Sequence, residues 1–575
     1  MSVICQPDDP GVDARIVGVR LTSRRGSELK PETGYNLAMF DEQLSRRHFF
    51  FGSLLAGALP AAGFGSAPSL KSLGYKSPNE KLNIASIGAG GQAGVGIGAF
   101  ARSGQNIVAL CDPDTARAAP VYRTYEKVPK YPDFRKMLDK EVNNIDAVLI
   151  AVPDFMHGTM AMWCMERRKH VYVQKPMTRC VWEARMLKEA AHKYNVRTQM
   201  GNQGYCQEGP RVCSEMIWSG AIGDVKEVHA WTNRPIWKQG VGEMSKGEPV
   251  PATLDWDTWL GIAKTRPFSV DYVPFQWRGW FDFGCGALGD MACHVLGAPN
   301  MALLLSKRAP TSVECIKQEG KNPLSFPTKS TIKFNFPALG SSFPALTLYW
   351  HDGIRDGMPQ EYWPAGLPKD ERLGDARGGA PAAGRGAAGG AGRGAAGGAG
   401  RGAAGGGRGA VGAGAAGRGA PGAGRGAAGA PAGVNMAAGA DPYNQALSQR
   451  TAPYNSPANS GVLYIGEKGF MTTGEYGGSP RLLPASKMED YVPPAPLLVR
   501  HPETYTDFVR SCKGGDPAAS NFDEAGPFTE WIDMACIALR VDGRLDWDAA
   551  KMQFTNSKQA NEYLKPTFRK GWSWT

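Results

Sequence analysis

The sequence predicts two folded domains of different class: a parallel, doubly wound α/β domain, then an α+β domain built on an open, mostly antiparallel sheet. Three observations carry this. Short β-branched runs, KLNIASIG, NIVALCD, IDAVLIAV, KHVYVQ and VRTQMG, alternate with helical stretches over residues 79–204, the pattern of βαβ units. Later runs, EVHAWTN, TSVECIK, STIKFNF, ALTLYWH and GVLYIGE, read as longer strands with few helices between them. Finally, 42% hydrophobic residues and 15 Trp among 575 are far too many for a disordered chain, so a core exists.

Two segments stand outside this pattern. Within residues 1–67, Ser45-Arg46-Arg47-His48-Phe49-Phe50 is followed by the short Gly/Ala-rich apolar run FGSLLAGALPAAGFGSA and small residues up to about Ala67. That is the pattern of a twin-arginine export signal. The apolar run is shorter than the roughly 20 residues a spanning helix needs and contains Pro60, so a removed leader is expected rather than an anchor. No other stretch is long and apolar enough to span. The expected location is periplasmic or otherwise extracytoplasmic, with the twin-arginine export machinery as a partner and no stable membrane span.

Residues 376–433 consist of 25 Gly, 22 Ala, 7 Arg, 3 Pro and 1 Val. Such a stretch cannot bury enough apolar area to offset its ordering entropy and is expected to be a disordered surface loop. It also carries 7 of the 11 net positive charges, so the basic total does not mark a nucleic-acid-binding body. With Cys5 removed, ten Cys remain, none in a C-x-x-C pair. Cys111 and Cys164 sit in apolar runs as core thiols, and Cys206 and Cys213 are the nearest candidates for a disulfide.

The strand LNIASI runs into Gly88-Ala89-Gly90-Gly91-Gln92-Ala93-Gly94, which opens a helix. Glycines at the first strand-to-helix turn let backbone approach a pyrophosphate, and the helix N-terminus favours its charge. Asp112 closes the second strand 22 residues after Gly90, where a carboxylate accepts from a ribose 2′-hydroxyl and repels a 2′-phosphate. Gly88, Gly90, Gly91, Gly94 and Asp112 are therefore expected to hold NAD or NADP, with NAD favoured by Asp112.

Val152-Pro153-Asp154-Phe155-Met156-His157 follows the IDAVLIAV strand at the edge where ligands bind in such sheets. Pro153 and His157 are placed beside the nicotinamide half of the cofactor. The next strand ends in Lys175-Pro176, and a lysine there can stabilise negative charge developing on a substrate oxygen. Asp290 and His294 lie four apart, on one face if helical, so the carboxylate can orient the imidazole. A histidine held this way suits a general base that removes a hydroxyl proton while hydride leaves the same carbon. Taken singly, each of these residues has a plain structural reading. Metal ligation by Asp290, His294 and Cys285 or Cys293 matches no usual zinc spacing, and no metal is expected.

Together, Gly88-x-Gly-Gly-x-x-Gly94, the Pro153/His157 turn, Lys175-Pro176 and the Asp290-x-x-x-His294 helix resemble the Gfo/Idh/MocA oxidoreductase family, over about residues 80–360 and 440–575. The resemblance implies a Rossmann domain at 79–204 that binds NAD(P). It also implies a C-terminal domain at 205–575, interrupted at 376–433, that carries the substrate pocket and often an oligomer interface, so a homo-oligomer is expected. It places Lys175 near both nicotinamide and substrate hydroxyl and makes Asp290 and His294 the acid/base pair. Asn202, Gln203 and Arg278 fall at pocket-lining positions. Two departures stand out: Gln174 replaces the Glu usual before Lys-Pro, and Cys285 stands where Gly or Thr is more common.

The expected function is an exported NAD(P)-dependent oxidoreductase acting on CH–OH groups of a sugar, polyol or related carbohydrate. Its cofactor is expected to be tightly held, because twin-arginine export carries folded proteins and extracytoplasmic fluid offers no dependable pool of dinucleotide. One alternative is an NAD-dependent glycosidase working by transient oxidation and elimination. The other is a non-catalytic glycan-binding envelope protein, which Lys175, Asp290 and His294 disfavour.

Overall fold

Six short strands form the first sheet: β1 (Asn83–Ile87), β2 (Asn106–Cys111), β3 (Lys130–Tyr131), β4 (Ala147–Ile150), β5 (His170–Val173) and β6 (Thr198–Met200). They pair in the order β3-β2-β1-β4-β5-β6, all parallel. The computed structural model describes residues 80–374 and 460–574. The expected leader with Arg46 and Arg47 and the Gly/Ala/Arg-rich stretch at 376–433 lie outside these described residues.

β4 is buried along its whole length and β1 nearly so, as continuous apolar runs must be when helices cover both faces of a sheet. The helices between the strands are α1 (Gln92–Arg102), α2 (Thr115–Thr124), α3 (Phe134–Glu141), α4 (His157–Glu166) and α5 (Val181–Lys193). Asp114 and Asp133 cap α2 and α3 by accepting from the main-chain N–H groups of Arg117 and Arg135. Strand order reverses between β1 and β4, which opens a crevice at their carboxyl ends.

The second sheet follows α6 (Glu208–Trp218). It begins with β7 (Val225–Trp231), and a long connection with the short helices α7 (Trp256–Leu260), α8 (Gly286–Val295) and α9 (Gly297–Ala302) leads on. Next come β8 (Ser312–Glu319), β9 (Lys329–Phe336), β10 (Leu346–Asp352), β11 (Gly461–Gly466), β12 (Gly469–Gly474) and β13 (Arg481–Leu483). After α10 (Thr504–Cys512) and α11 (Phe522–Ala538), β14 (Leu545–Asp548) and β15 (Gln553–Phe554) complete it. The nine strands run β13-β12-β11-β7-β10-β9-β8-β14-β15, with β7 and β10 parallel and the other pairs antiparallel. The expected fold class is thus the observed one.

One face of this sheet is buried along its length, and the other is covered only in part, with Lys333, Asn335, Thr347 and Tyr349 half-exposed. Trp531 of α11 meets the rings of Phe334 and Phe336 edge-on at 5.2 and 5.5 Å. On the other side Trp231, Leu463 and Leu483 cluster with Met358 and Leu367. The C-terminal helices return to the first domain: Tyr505 of α10 stacks on Tyr172 of β5 at 4.9 Å. The open edge of β6 is closed by Met200 N–H donating to Ser520 O (2.9 Å) and Phe522 N–H donating to Thr198 Oγ1 (2.9 Å).

β10 and β11 flank the undescribed residues 375–459. The chain leaves and returns at neighbouring points, since a Cβ on Gly374 would lie 2.9 Å from Ser460 O. All ten described cysteines are free thiols. Cys213 Sγ donates to Tyr464 Oη (3.4 Å) while Cys206 Sγ faces Asp507 Oδ2 (4.0 Å), so the nearest pair in sequence has separate partners. Among the described residues, no helix is long and apolar enough to cross a membrane.

Candidate active site

The crevice between β1 and β4 deepens into a cavity of about 310 Å³ that continues to α8 in the second domain. At its floor, backbone approach forces glycine. Gly88 has φ +93°, and a Cβ there would sit 2.2 Å from Ala151 O at the end of β4. A Cβ at Gly90 would lie 2.4 Å from Arg117 Cγ. Gly91, with φ +60°, is the N-cap of α1, and Gly94 lets that helix approach Val121 of α2.

Asp112 reaches over this turn. Its Oδ2 accepts from Ala89 N–H (2.9 Å) and Gly90 N–H (3.1 Å), and its Oδ1 from Asp114 N–H (3.0 Å). The carboxylate thus shapes the glycine turn and keeps its remaining lone pairs for a ligand at the cavity wall. Two more groups beside it are buried without partners, Asp114 Oδ2 and Arg117 Nη1, and both residues line the cavity. Burial pushes the Asp114 carboxyl up to about 6. A glycine turn, a carboxylate and unpaired polar atoms at the end of β2 suit the phosphates and ribose of a dinucleotide.

Deeper in, β5 delivers Lys175 and α8 delivers Asp290 and His294. Lys175 Nζ donates to Asp290 Oδ1 and to the Asp290 main-chain oxygen, both at 2.9 Å. Arg278 Nε lies 3.4 Å from the same Oδ1, its guanidinium held over the rings of Trp277 (4.2 Å) and Phe275 (4.5 Å). Burial alone would raise the Asp290 carboxyl, but Lys175 foremost, then Arg278, hold it well below the usual carboxylate range. Burial would likewise lower Lys175, and the Asp290 charge outweighs it, so the ammonium sits above the ordinary lysine value.

Asp290 therefore pairs with Lys175 and not with His294, contrary to the pairing expected from their i, i+4 spacing. The i, i+4 geometry holds, yet the carboxylate is turned towards two full cations. His294 lines the cavity with its Nδ1 buried and unpartnered. Burial, then the Lys175 charge, lowers its pKa to about 3, which keeps the imidazole neutral. The Tyr476 ring meets it edge-on at 4.8 Å.

The other expected positions divide. Pro153, Gln203 and Arg278 line the cavity. His157 does not; its Nδ1 and Nε2 face the carbonyls of Pro176 (2.6 Å) and Val152 (2.9 Å), so it ties the Lys175-Pro176 turn to the end of β4. Asn202 is absent from the lining, and both polar atoms of its amide are buried without partners. Gln174 turns its amide towards Tyr505 Oη (3.5 Å).

Asp114 and Arg117 were not among the positions expected from the sequence, and neither were Asp154 and Tyr476. Asp154 belongs to the Val152-Pro153 motif itself; its Oδ2 accepts from Cys285 N–H (3.1 Å) at the start of α8, and burial pushes its carboxyl up to about 7. Tyr476 comes from the connection between β12 and β13, where no local signal marks it.

A glycine turn with its carboxylate on one wall and a Lys–Asp pair beside a neutral histidine on the other define a two-domain dinucleotide-binding protein. Residues 82–202 match the model of the oxidoreductase family's NAD-binding Rossmann fold, and residues 219–336 that of its C-terminal alpha/beta domain. Over these residues the chain matches the Gfo/Idh/MocA oxidoreductase family.

Among curated relatives it is 27% identical over 212 residues to a glycosyl hydrolase family 109 protein of Solibacter usitatus, covering 34% of this chain and 47% of that one. It is 30% identical over 220 residues to an uncharacterized oxidoreductase of Synechocystis, covering 38% and 50%. The chain thus spans about half the length of these relatives. A solved structure, the WlbA dehydrogenase of Bordetella pertussis in complex with NADH and UDP-GlcNAcA, is 13% identical with a TM-score of 0.47, covering 82% of this chain and 99% of the other.

Proposed function

We propose that this protein is an NAD(P)-dependent oxidoreductase, with NAD favoured by Asp112, that oxidises a CH–OH group of a sugar, polyol or related carbohydrate. The observation that carries the reading is the convergence in one cavity of the dinucleotide cradle with the Lys175–Asp290 pair and the neutral His294. When bound, the dinucleotide supplies the hydride acceptor. Lys175, aimed by Asp290, donates to the carbinol oxygen as charge grows on it, while His294 accepts the hydroxyl proton. The carbinol thus loses one hydride from carbon and one proton from oxygen. An imidazolium beside Lys175 is disfavoured, so the proton passes onward rather than resting there. Arg278 and Gln203 orient the remaining hydroxyls of the substrate.

The relative named as a glycosyl hydrolase supports a second reading, in which transient oxidation next to a glycosidic carbon permits elimination with no net redox change. In either case the cofactor is held tightly and the protein acts outside the cytoplasm after twin-arginine export.

The test starts with the purified protein. Denaturation should release a dinucleotide identifiable by mass, or the folded protein should bind one; the absence of both would sink the reading. Sugars and polyols should then change the nicotinamide absorbance, whereas aryl glycosides cleaved without lasting change would favour the second reading. Exchanging Arg46 and Arg47 for Lys should retain the protein in the cytoplasm, and light scattering tests the expected homo-oligomer.

A further inference from the structure

Outside the cavity, among the described residues, one group of buried side chains brings metal-binding atoms together. Cys285, Asp533 and Cys536 each place a ligand atom within 4.8 Å of the other two. Asp533 and Cys536 lie one turn apart on α11, and Cys285 is the N-cap of α8. None of the three lines the catalytic cavity. Cys285 is also where the chain departs from the small residue expected at this position.

The thiols have only weak partners: Cys285 Sγ reaches Thr178 O (3.8 Å), Cys536 Sγ reaches Cys285 O (3.7 Å), and the two thiols bond to each other. Asp533, 1% exposed, accepts from Thr178 Oγ1 through Oδ2 (3.1 Å), and its Oδ1 is buried with no partner. A buried carboxylate oxygen left unpaired is costly, and the Arg179 charge and the Thr178 hydroxyl offset burial and the Glu183 charge only in part. The neighbouring Glu183 is another buried acid with an unpartnered oxygen, while Arg179 spends its Nη1 on Phe281 O (2.8 Å).

We infer that Cys285, Asp533 and Cys536 bind a zinc ion that clamps α8, the helix carrying Asp290 and His294, onto α11. Two soft thiolates with one carboxylate exclude calcium and magnesium and suit zinc. At zinc–ligand distances of about 2.0–2.3 Å, tetrahedral donors stand roughly 3.3–3.8 Å apart, so closure needs shifts of no more than about 1 Å. Thr178 O, 3.8 Å from Cys285 Sγ, is a candidate for the fourth position. The ion is structural, because the site is closed and lies away from the substrate.

The experiment is metal analysis of the full chain purified without chelator. Close to one zinc per chain is expected, surviving gel filtration. Cys536→Ala and Asp533→Asn should each lower zinc content at least tenfold, while Cys315→Ala, at a partly exposed thiol elsewhere, leaves it unchanged. Cobalt-exchanged wild type should show a thiolate-to-metal charge-transfer band that Cys285→Ala abolishes. If the variants do not fold, the wild-type zinc content and cobalt spectrum decide. Negligible zinc in wild type supplied with zinc chloride, unchanged zinc in folded Cys536→Ala, or a Cys285–Cys536 disulfide found by mass would each overturn the assignment.

Discussion

Replacing Asp290 by Asn tests the electrostatic centre of the cavity. Asp290 Oδ1 is 2.9 Å from Lys175 Nζ and 3.4 Å from Arg278 Nε, and the Lys175 and Asp290 side chains are only 19% and 15% exposed. Asn keeps the shape but leaves two cations facing one another without an anion. Removing one partner of a buried pair costs about 3–5 kcal/mol. The Asp290 main-chain oxygen still accepts from Lys175 and the pair is partly exposed, so somewhat less is expected, about 2–4 kcal/mol.

The pH dependence has a definite sign. The folded-state pKa of Asp290 lies below its unfolded value, so the stabilisation is present above about pH 4 and is lost as pH falls further. Thermal unfolding of both proteins followed from pH 3 to 8 should show a gap in Tm at neutral pH that narrows in acid. A gap under about 1 °C at pH 7, or one that stays constant into acid, would refute this account of the pair.

Three further outcomes are expected. Gly88→Ala drives a Cβ to 2.2 Å from Ala151 O at φ +93°, so calorimetry should find dinucleotide binding lost and Tm lowered. His294→Gln should reduce turnover by about 10²–10⁴ while leaving dinucleotide affinity within a few-fold, which separates proton transfer from cofactor binding. Asp154 has a folded pKa of about 7, above its ordinary 3.8, so it penalises the folded state increasingly as pH rises from about 4 to 7. Asp154→Asn should remove that slope and leave the protein on the order of 2–4 kcal/mol more stable at pH 8, measured by urea unfolding.

What could be read in the sequence was what local pattern encodes. β1, β2, β4, β5 and β6 are apolar runs at βαβ spacing, and β7 to β11 are alternating or aromatic runs, so both sheets were legible. β3, with two residues, has no run to mark it. β13 and β15, with three and two residues, and the Gly-bounded β12 are likewise too weakly patterned, although their partners are near in sequence, while β14 and the return of α10 and α11 to the first domain depend on contacts across hundreds of residues, as between Tyr505 and Tyr172. The site follows the same rule. The glycine turn, Asp112 and Lys175 were legible because each ends or follows a strand of the first sheet. The partner of Asp290 was not, since helical spacing brings it near His294 while tertiary charge turns it to Lys175. Tyr476 reaches His294 only through a hairpin far along the chain.

The neighbouring positions of Gly374 and Ser460 have a practical consequence. Because Gly374 and Ser460 already meet, a short join can close the chain between β10 and β11, and closure entropy changes only slowly with the length of the join. A chain in which residues 375–459 give way to a short glycine linker should therefore keep its cavity and its nucleotide affinity. The same port should accept a folded reporter domain without disturbing either.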